Sequence, residues 1–315
     1  MSKIAFIYPG QGAQKAGMGA DFYENSEIAR YIFDQAGEEL DLDMKELCFE
    51  ENDRLDLTEY TQAAMVTTCL AMTRVAESKG LKADITAGLS LGEYPAIAAA
   101  GGMNDMDAIR LVRKRGILMQ NTVPAGEGAM CAIISMAAEE IEKVIEPIAD
   151  VSVANYNCPG QIVITGKTDA VEEAAAKLKE AGARRTIMLN VSGPFHSQML
   201  VPAGEKLAEE LEHTRFHELR IPYVTNVTAE KVTDIRETPG LLTTQISSPV
   251  RWMQSMERMI ADGVDTFVEI GPGKTLEGFL RKIDRSVKVF HISQWEDVDK
   301  VCTELADSGK MMEEA

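Results

Sequence analysis

Residues Asp84-Ile-Thr-Ala-Gly-Leu-Ser-Leu-Gly-Glu-Tyr-Pro-Ala-Ile-Ala-Ala-Ala100 decide the fold. The stretch reads as a short buried strand, a sharp turn and a helix. Ser90 sits at the turn, between Gly88 and Gly92 in a G-x-S-x-G spacing. A strand that turns straight into a helix leaves no room for side chains beside the turn residue, so glycines border it. The turn residue is held strained, with its hydroxyl pushed out of the backbone. The helix behind it points free N–H groups and its positive end at any oxygen that develops charge there. Leu91 supplies the first of those N–H groups. Two readings follow: a nucleophilic serine on an elbow, or a tight turn with a capping serine. The strand before and the helix after favour the nucleophile.

Upstream, Lys3–Tyr8 is apolar after its lysine, which predicts a central strand covered on both faces. Pro9-Gly-Gln-Gly-Ala-Gln14 follows. It is glycine-rich, but Lys15 stands where the dinucleotide fingerprint needs its third glycine, and no Gly-Lys-Ser/Thr follows. It reads instead as a loop that brings backbone close to a ligand, with the Gln11 N–H as a second donor to an oxyanion. Helices are expected over Glu27–Leu40, capped by Ser26, then over Asp43–Phe49 and Tyr60–Lys79.

Downstream, Asp107–Asn121 reads as a helix. Asp107, Arg110, Lys114 and Asn121 share a polar face, and Arg115 falls among Leu111, Val112, Leu118 and Met119. A cation on an apolar face is costly unless paired. Two pairings stand open: an internal salt bridge, for instance to Glu93, or the carboxylate of a ligand.

Composition shifts after Val123-Pro-Ala-Gly-Glu-Gly128. The segment Ala129–Leu189 reads strand, helix, strand, strand, helix, strand, with the middle strands joined by a hairpin loop at Tyr156-Asn-Cys-Pro-Gly160. This βαββαβ order is the ferredoxin-like unit. The expected fold class is therefore α/β, with residues 1–123 and 191–315 forming a large domain and residues 124–190 a small inserted one. In the second half, strands are expected at Ile221–Asn226, Thr266–Ile270 and Val287–His291. Helices are expected at Leu200–Leu211, Pro239–Ile246, Val250–Asp262 and Thr275–Ile283. Met311–Ala315 is expected to fray.

The chain has 315 residues, 45% hydrophobic and 26% charged, which is an ordinary globular composition. Its net charge of −18 argues against nucleic acid and anionic membranes as partners. Five cysteines without a C-x-x-C pair fit reduced thiols in a cytoplasmic protein. Residues 1–6 lead straight into a strand, without a signal peptide's pattern, and no apolar run is long enough to span a membrane.

A nucleophilic serine needs a base. His213 and His217 are four apart but lack the H-E-x-x-H glutamate, and read as a solvated helix end. His291 ends a strand, where a structural role is the default. His196 lies in Gly193-Pro-Phe-His-Ser197, a turned loop of the kind that borders a cleft. No acidic partner is evident between Ser90 and His196, so the pair reads as a dyad.

Seven stretches then carry a resemblance. They are Pro9–Gln14, Gly88–Tyr94, Lys114–Gln120, Asn155–Gln161, Pro194–Ser197, Gln245 with Pro249–Trp252, and Gly271–Lys274. Their order resembles that of the malonyl-CoA:acyl-carrier-protein transacylases, over Ile4 to about Lys282. The resemblance implies a hydrolase-like α/β domain with a parallel sheet core carrying the ferredoxin-like insert. It implies Ser90 as nucleophile and His196 as base, with oxyanion donors at Gln11 and Leu91. It further implies Arg115 on the malonyl carboxylate, and the Gln245 carbonyl orienting His196 in place of an acid. The family usually has histidine before the nucleophile, and here Leu89 stands there.

The expected reaction is malonyl transfer from malonyl-CoA to acyl carrier protein through a malonyl-serine, feeding fatty-acid synthesis, with no metal and no cofactor. Three rival readings stand beside it: a polyketide-pathway acyltransferase, a serine hydrolase and a non-catalytic scaffold.

Overall fold

The structure, a computed structural model, describes residues 3–307. The expected fraying of Met311–Ala315 lies outside the described residues. Among the described residues ten strands occur in chain order. β1 is Lys3–Tyr8, β2 Ile85–Gly88, β3 Gly128–Ile134, β4 Val151–Cys158 and β5 Gln161–Lys167. β6 is Arg185–Met188, β7 Tyr223–Val224, β8 Lys231–Val232, β9 Val264–Ile270 and β10 Lys288–Ile292.

They form two sheets. The larger has six strands in the order β10-β9-β1-β2-β7-β8. All its pairings are parallel except the β7–β8 hairpin. The central β1 alternates between two apolar layers: Ile4, Phe6 and Tyr8 face one, Ala5 and Ile7 the other. That is why its sequence is apolar without a break. The long helix Thr58–Ser78 is buried along nearly its whole length behind the sheet.

The second sheet has four antiparallel strands in the order β4-β5-β3-β6, with the helices Ala138–Ile145 and Thr168–Glu180 packed on it. This is the ferredoxin-like order, carried on a hydrolase-like sheet. Backbone hydrogen bonds tie β4 to Val250, just ahead of the helix Trp252–Ala261. Tyr156 N donates to Val250 O at 2.9 Å, and Val250 N to Ala154 O at 2.7 Å.

Several local expectations differ from the structure. β4 runs on to Cys158, so the hairpin turn is only Pro159-Gly160. β7 has two residues instead of six, because Thr225 N already closes the hairpin onto Glu230 O and the Asn226 side chain turns to the elbow. His217 lies beyond the helix Val201–Glu212, partly buried, with its backbone N–H on Gly102 O. The helix Ala20–Asn25, the short strand β8 and a last helix, Trp295–Asp307, fall where the sequence reading expects no element. Asp297 caps its start by accepting from the backbone N–H groups of Ser293 and Gln294.

The elbow is set by its glycines. A Cβ on Gly88 would lie 1.8 Å from Gly92 O, and one on Gly92 would lie 2.4 Å from Tyr8 O. Between them Ser90 takes a left-handed φ of 55°. A short turn over Ser90–Gly92 then leads into the helix Glu93–Ala99.

Candidate active site

Asn226 holds the strained turn. Its Oδ1 accepts from Ser90 N at 2.7 Å, and its Nδ2 donates to Gly88 O at 2.6 Å. One side chain thereby pins the backbone on both sides of Leu89. Nothing in the sequence pointed to Asn226, which is 136 residues from Ser90.

Ser90 Oγ lies 2.8 Å from His196 Nε2. On the other side of the ring, His196 Nδ1 is 2.9 Å from Gln245 O. A carbonyl oxygen only accepts, so the proton sits on Nδ1 and Nε2 is free to accept from the serine. His196 is buried and has a φ of 60°, a conformation of order 1–3 kcal/mol above the ordinary ones for a non-glycine residue. Burial, with Arg115 nearby, lowers its pKa to about 3, so it is neutral at physiological pH.

Arg115 is fully buried. Its Nη1 donates to Gln62 Oε1 at 2.7 Å, and its Nη2 to Ser90 Oγ and Gln245 Oε1, each at 3.0 Å. The Tyr94 ring lies 5.8 Å from its guanidinium carbon. Glu93 does not pair with it directly. That carboxyl accepts from Asn226 N and Gln245 Nε2 instead. Of the two pairings open for Arg115, the direct salt bridge to Glu93 is not made.

Ser90 and His196 open onto a cavity of about 700 Å³, whereas Arg115 and Gln245 are fully buried behind them and are not among its lining residues. Ser90, His196, Gln11, Leu91 and Gln62 line it, together with Leu89, Met119, Asn155, Asn157 and Phe195. Gln11 is steadied by its side chain, whose Nε2 donates to Thr58 Oγ1 at 3.1 Å. Leu89 packs over the glycine loop, where a Cβ on Gly10 would meet its side chain at 2.7 Å. The far wall is Thr275, Leu276 and Phe279. Their helix starts on the Glu269 carboxylate, which accepts from the N–H groups of Leu276 and Glu277.

The six residues singled out in the sequence thus converge from distant positions. Gln62, Glu93, Asn226 and the Gln245 side chain were not singled out as parts of the site. Of these only Glu93 carried a local signal, its place directly after the elbow. His291 lies apart, with Nδ1 3.3 Å from Glu277 Oε2. Among the described residues no group of three or more His, Cys, Asp or Glu is placed to hold a metal.

A hydroxyl on a strand–helix elbow, a neutral histidine on it and a cavity in front define a serine enzyme of the acyl-transfer class, whether the acceptor is water or another nucleophile. The comparisons with known proteins make the class specific. The acyl transferase domain family model matches residues 5–298. A malonyl CoA-acyl carrier protein transacylase of Bacillus subtilis is 45% identical over 304 residues, covering 95% of this chain and 96% of its own. A crystal structure of such a transacylase from Clostridium perfringens superposes with a TM-score of 0.94 at 42% identity, over 98% of both chains. A malonyl-transacylase solved in complex with a type II polyketide acyl-carrier protein superposes with a TM-score of 0.93 at 36% identity, over 96% of this chain and all of that one. The chain belongs to the malonyl-CoA:acyl-carrier-protein transacylases.

Proposed function

We propose that the chain moves a malonyl group from coenzyme A to the thiol of acyl carrier protein, through a malonyl ester on Ser90. The observation that carries this reading is the hydrogen-bonded Ser90–His196 pair beside a buried arginine that no carboxylate touches. In the proposed course His196 Nε2 takes the Ser90 proton as Oγ attacks the thioester carbon. The backbone N–H groups of Leu91 and Gln11 receive the developing oxyanion. The tetrahedral intermediate collapses, and His196 returns the proton to the departing coenzyme A sulfur. The carrier thiol then repeats the sequence on the malonyl ester. The Gln245 carbonyl keeps the imidazole in the working tautomer, the part an acid plays in a triad.

The guanidinium of Arg115 takes the malonyl carboxylate. A bidentate pair of this kind in a dry setting is strong and geometrically selective. Fatty-acid synthesis is the pathway this supports. A cytoplasmic location fits the reduced, unpatterned cysteines. Among the described residues no helix is long and apolar enough to cross a membrane.

Ser90→Ala tests the nucleophile. The variant is expected to fold and to gain no mass on brief exposure to malonyl-CoA, whereas the parent gains one malonyl group. A malonyl adduct on the variant would remove Ser90 from its role. Adding malonyl-CoA to the parent, with and without carrier protein, separates transfer from hydrolysis. A hydrolase releases malonate in both cases.

A further inference from the structure

Behind the site stands a carboxyl that the steps above do not use. Glu93 is fully buried. Its Oε2 accepts from Gln245 Nε2 at 2.7 Å and from Asn226 N at 3.1 Å. No hydrogen bond of ordinary geometry reaches its Oε1, and the Thr225 side chain is a further, weaker donor to the carboxyl. The other end of the same Gln245 carboxamide accepts from Arg115 Nη2 at 3.0 Å. The three groups therefore form a line of cation, amide and carboxyl. The amide turns its oxygen to the cation and its N–H to the carboxyl. An amide so oriented is polarised by both neighbours, and both bonds strengthen.

Arg115 needs such a connection. Its own bonds reach only neutral oxygens, those of Gln62, Gln245 and Ser90, and its Nε has no partner. A buried guanidinium without a counter-charge is costly. Glu93 is the acidic group tied to it, one amide away.

We propose that Glu93 is the resident counter-ion of Arg115, coupled to it through the Gln245 carboxamide, and that Glu93 takes up a proton when a substrate carboxylate binds Arg115. This rests on the malonyl reading above. Once a second anion reaches Arg115, two negative charges share one positive charge out of water. Protonating the buried carboxyl removes the excess. The proton comes from solvent, and no bond other than the new O–H forms at Glu93. Because Oε1 holds no hydrogen bond of ordinary geometry, a proton placed there breaks none, and the Thr225 hydroxyl can turn to accept it.

The surroundings favour Glu93 as the group that titrates. Burial pushes its carboxyl up to about 7. Tyr94, on the same helix, and Tyr223, on β7, both feel its charge, and burial drives both phenols far upward, so they stay neutral. His196, beyond Gln245, is held down at about 3 and stays neutral as well. Arg115, on the helix Asp105–Asn121, completes the charged neighbours of Glu93. Glu93 is a positioning residue in this scheme, because it reaches the substrate only through Gln245 and Arg115.

The test is a proton count. Ser90→Ala protein is titrated with malonyl-CoA at about pH 8, by calorimetry in two buffers of different ionisation enthalpy. Uptake of about half a proton or more per malonyl-CoA is expected, because a group titrating near 7 is mostly ionised there. Free coenzyme A serves as the control for its phosphates and should show less. By linkage, malonyl-CoA affinity should fall up to about tenfold per pH unit above neutrality. Adding Glu93→Gln, which keeps an acceptor oxygen but cannot ionise, should abolish the uptake and flatten the affinity against pH. Binding without uptake, or uptake that survives Glu93→Gln, overturns the proposal. If malonyl-CoA does not bind the Ser90→Ala protein at all, the malonyl reading fails and this proposal falls with it. Should Glu93→Gln not fold, the infrared difference spectrum of the Ser90→Ala protein replaces it. Malonyl-CoA must then raise a protonated-carboxyl band, and its absence overturns the proposal.

Discussion

Ser90 Oγ lies between two side chains with opposite demands. It donates to His196 Nε2 and accepts from Arg115 Nη2. The first bond prepares the oxygen for attack, and the second engages a lone pair that attack requires. A carboxylate arriving at Arg115 competes for that same N–H. On this argument an acyl chain with a carboxylate both pairs the buried cation and frees the serine, whereas an acetyl group does neither. Arg115→Ala is therefore expected to lower malonyl transfer by about a hundredfold or more, the scale of losing a buried charge-assisted pair. Acetyl transfer should change far less, and equal losses with both donors would make Arg115 a purely structural cation. His196 carries a second residue-level prediction. Burial and Arg115 lower its pKa to about 3, so the base form is present above that value and is lost only when pH falls through it. The rate of Ser90 acylation, as kcat/KM for malonyl-CoA, should thus hold within about twofold between about pH 7 and 5. An acid limb near an ordinary histidine pKa of about 6.5 would show that the imidazole is more solvated than its burial implies.

The elbow is the element on which these residues depend, and it tolerates little. A methyl on Gly88 meets backbone at Gly92, not the movable end of a side chain. Gly88→Ala should therefore shift the turn, loosen the Asn226 bonds to Ser90 and Gly88, and cost about 3 kcal/mol or more. Gly278→Ala is the matching control, because nothing lies within 4 Å of a Cβ there and the residue is helical, so stability should hold or rise slightly. Chemical unfolding of both variants, with acyl-enzyme formation measured on each, checks the pair. The same element shows what was legible in the sequence. The strand, the glycine spacing and the following helix are local, and each was readable from its own residues. The paired strands of the insert were readable too, because their alternation and turns are local. Asn226 was not, since its role depends on a contact between positions far apart in the chain. The ending of β7 was missed for the same reason. The contacts of Arg115 were half legible: its apolar face showed in the helical register, but whether Glu93 would reach it needed three dimensions. The helix Trp295–Asp307 does carry a local signal. Ser293-Gln-Trp-Glu296 has the spacing of a capping box, although the group that accepts from the backbone is Asp297.

At the scale of the whole molecule the problem is the partner. The chain carries a net charge of −18, and the family implies a carrier protein that is itself acidic. Two acidic surfaces repel, but screening confines the repulsion to about 8 Å at physiological salt. A local basic patch beside the cavity can then govern docking. β6 is an edge strand of the smaller sheet, and its end runs into Leu189–Ser192, which line the cavity. Arg184 and Arg185 are exposed at its start, and Ile187 and Met188 are exposed large apolar side chains farther along it. An open edge flanked by cations and apolar groups is an unusual surface on so acidic a chain. Two further candidates are tied down: Lys177 pairs with Glu173 and Arg281 with Glu277, each on its own helix, while Lys179 and Lys282 are exposed and form no ion pair among the described residues. Neither Arg184 nor Arg185 forms an ion pair among the described residues, and their place at the start of the edge strand that leads to the cavity makes them the stronger candidates for meeting an acidic carrier. Reversing both to glutamate is expected to slow malonyl transfer to carrier protein by about tenfold or more at low salt, with the loss shrinking as salt rises. Acylation of Ser90 by malonyl-CoA should stay within about twofold of the parent, since the reversal leaves the Ser90–His196–Gln245 contacts in place. Stopped-flow acylation and carrier-loading assays on the same variant separate the outcomes. Equal losses in both steps would place the two arginines on the coenzyme A path or in the fold itself, and no loss in either would move the docking surface off β6.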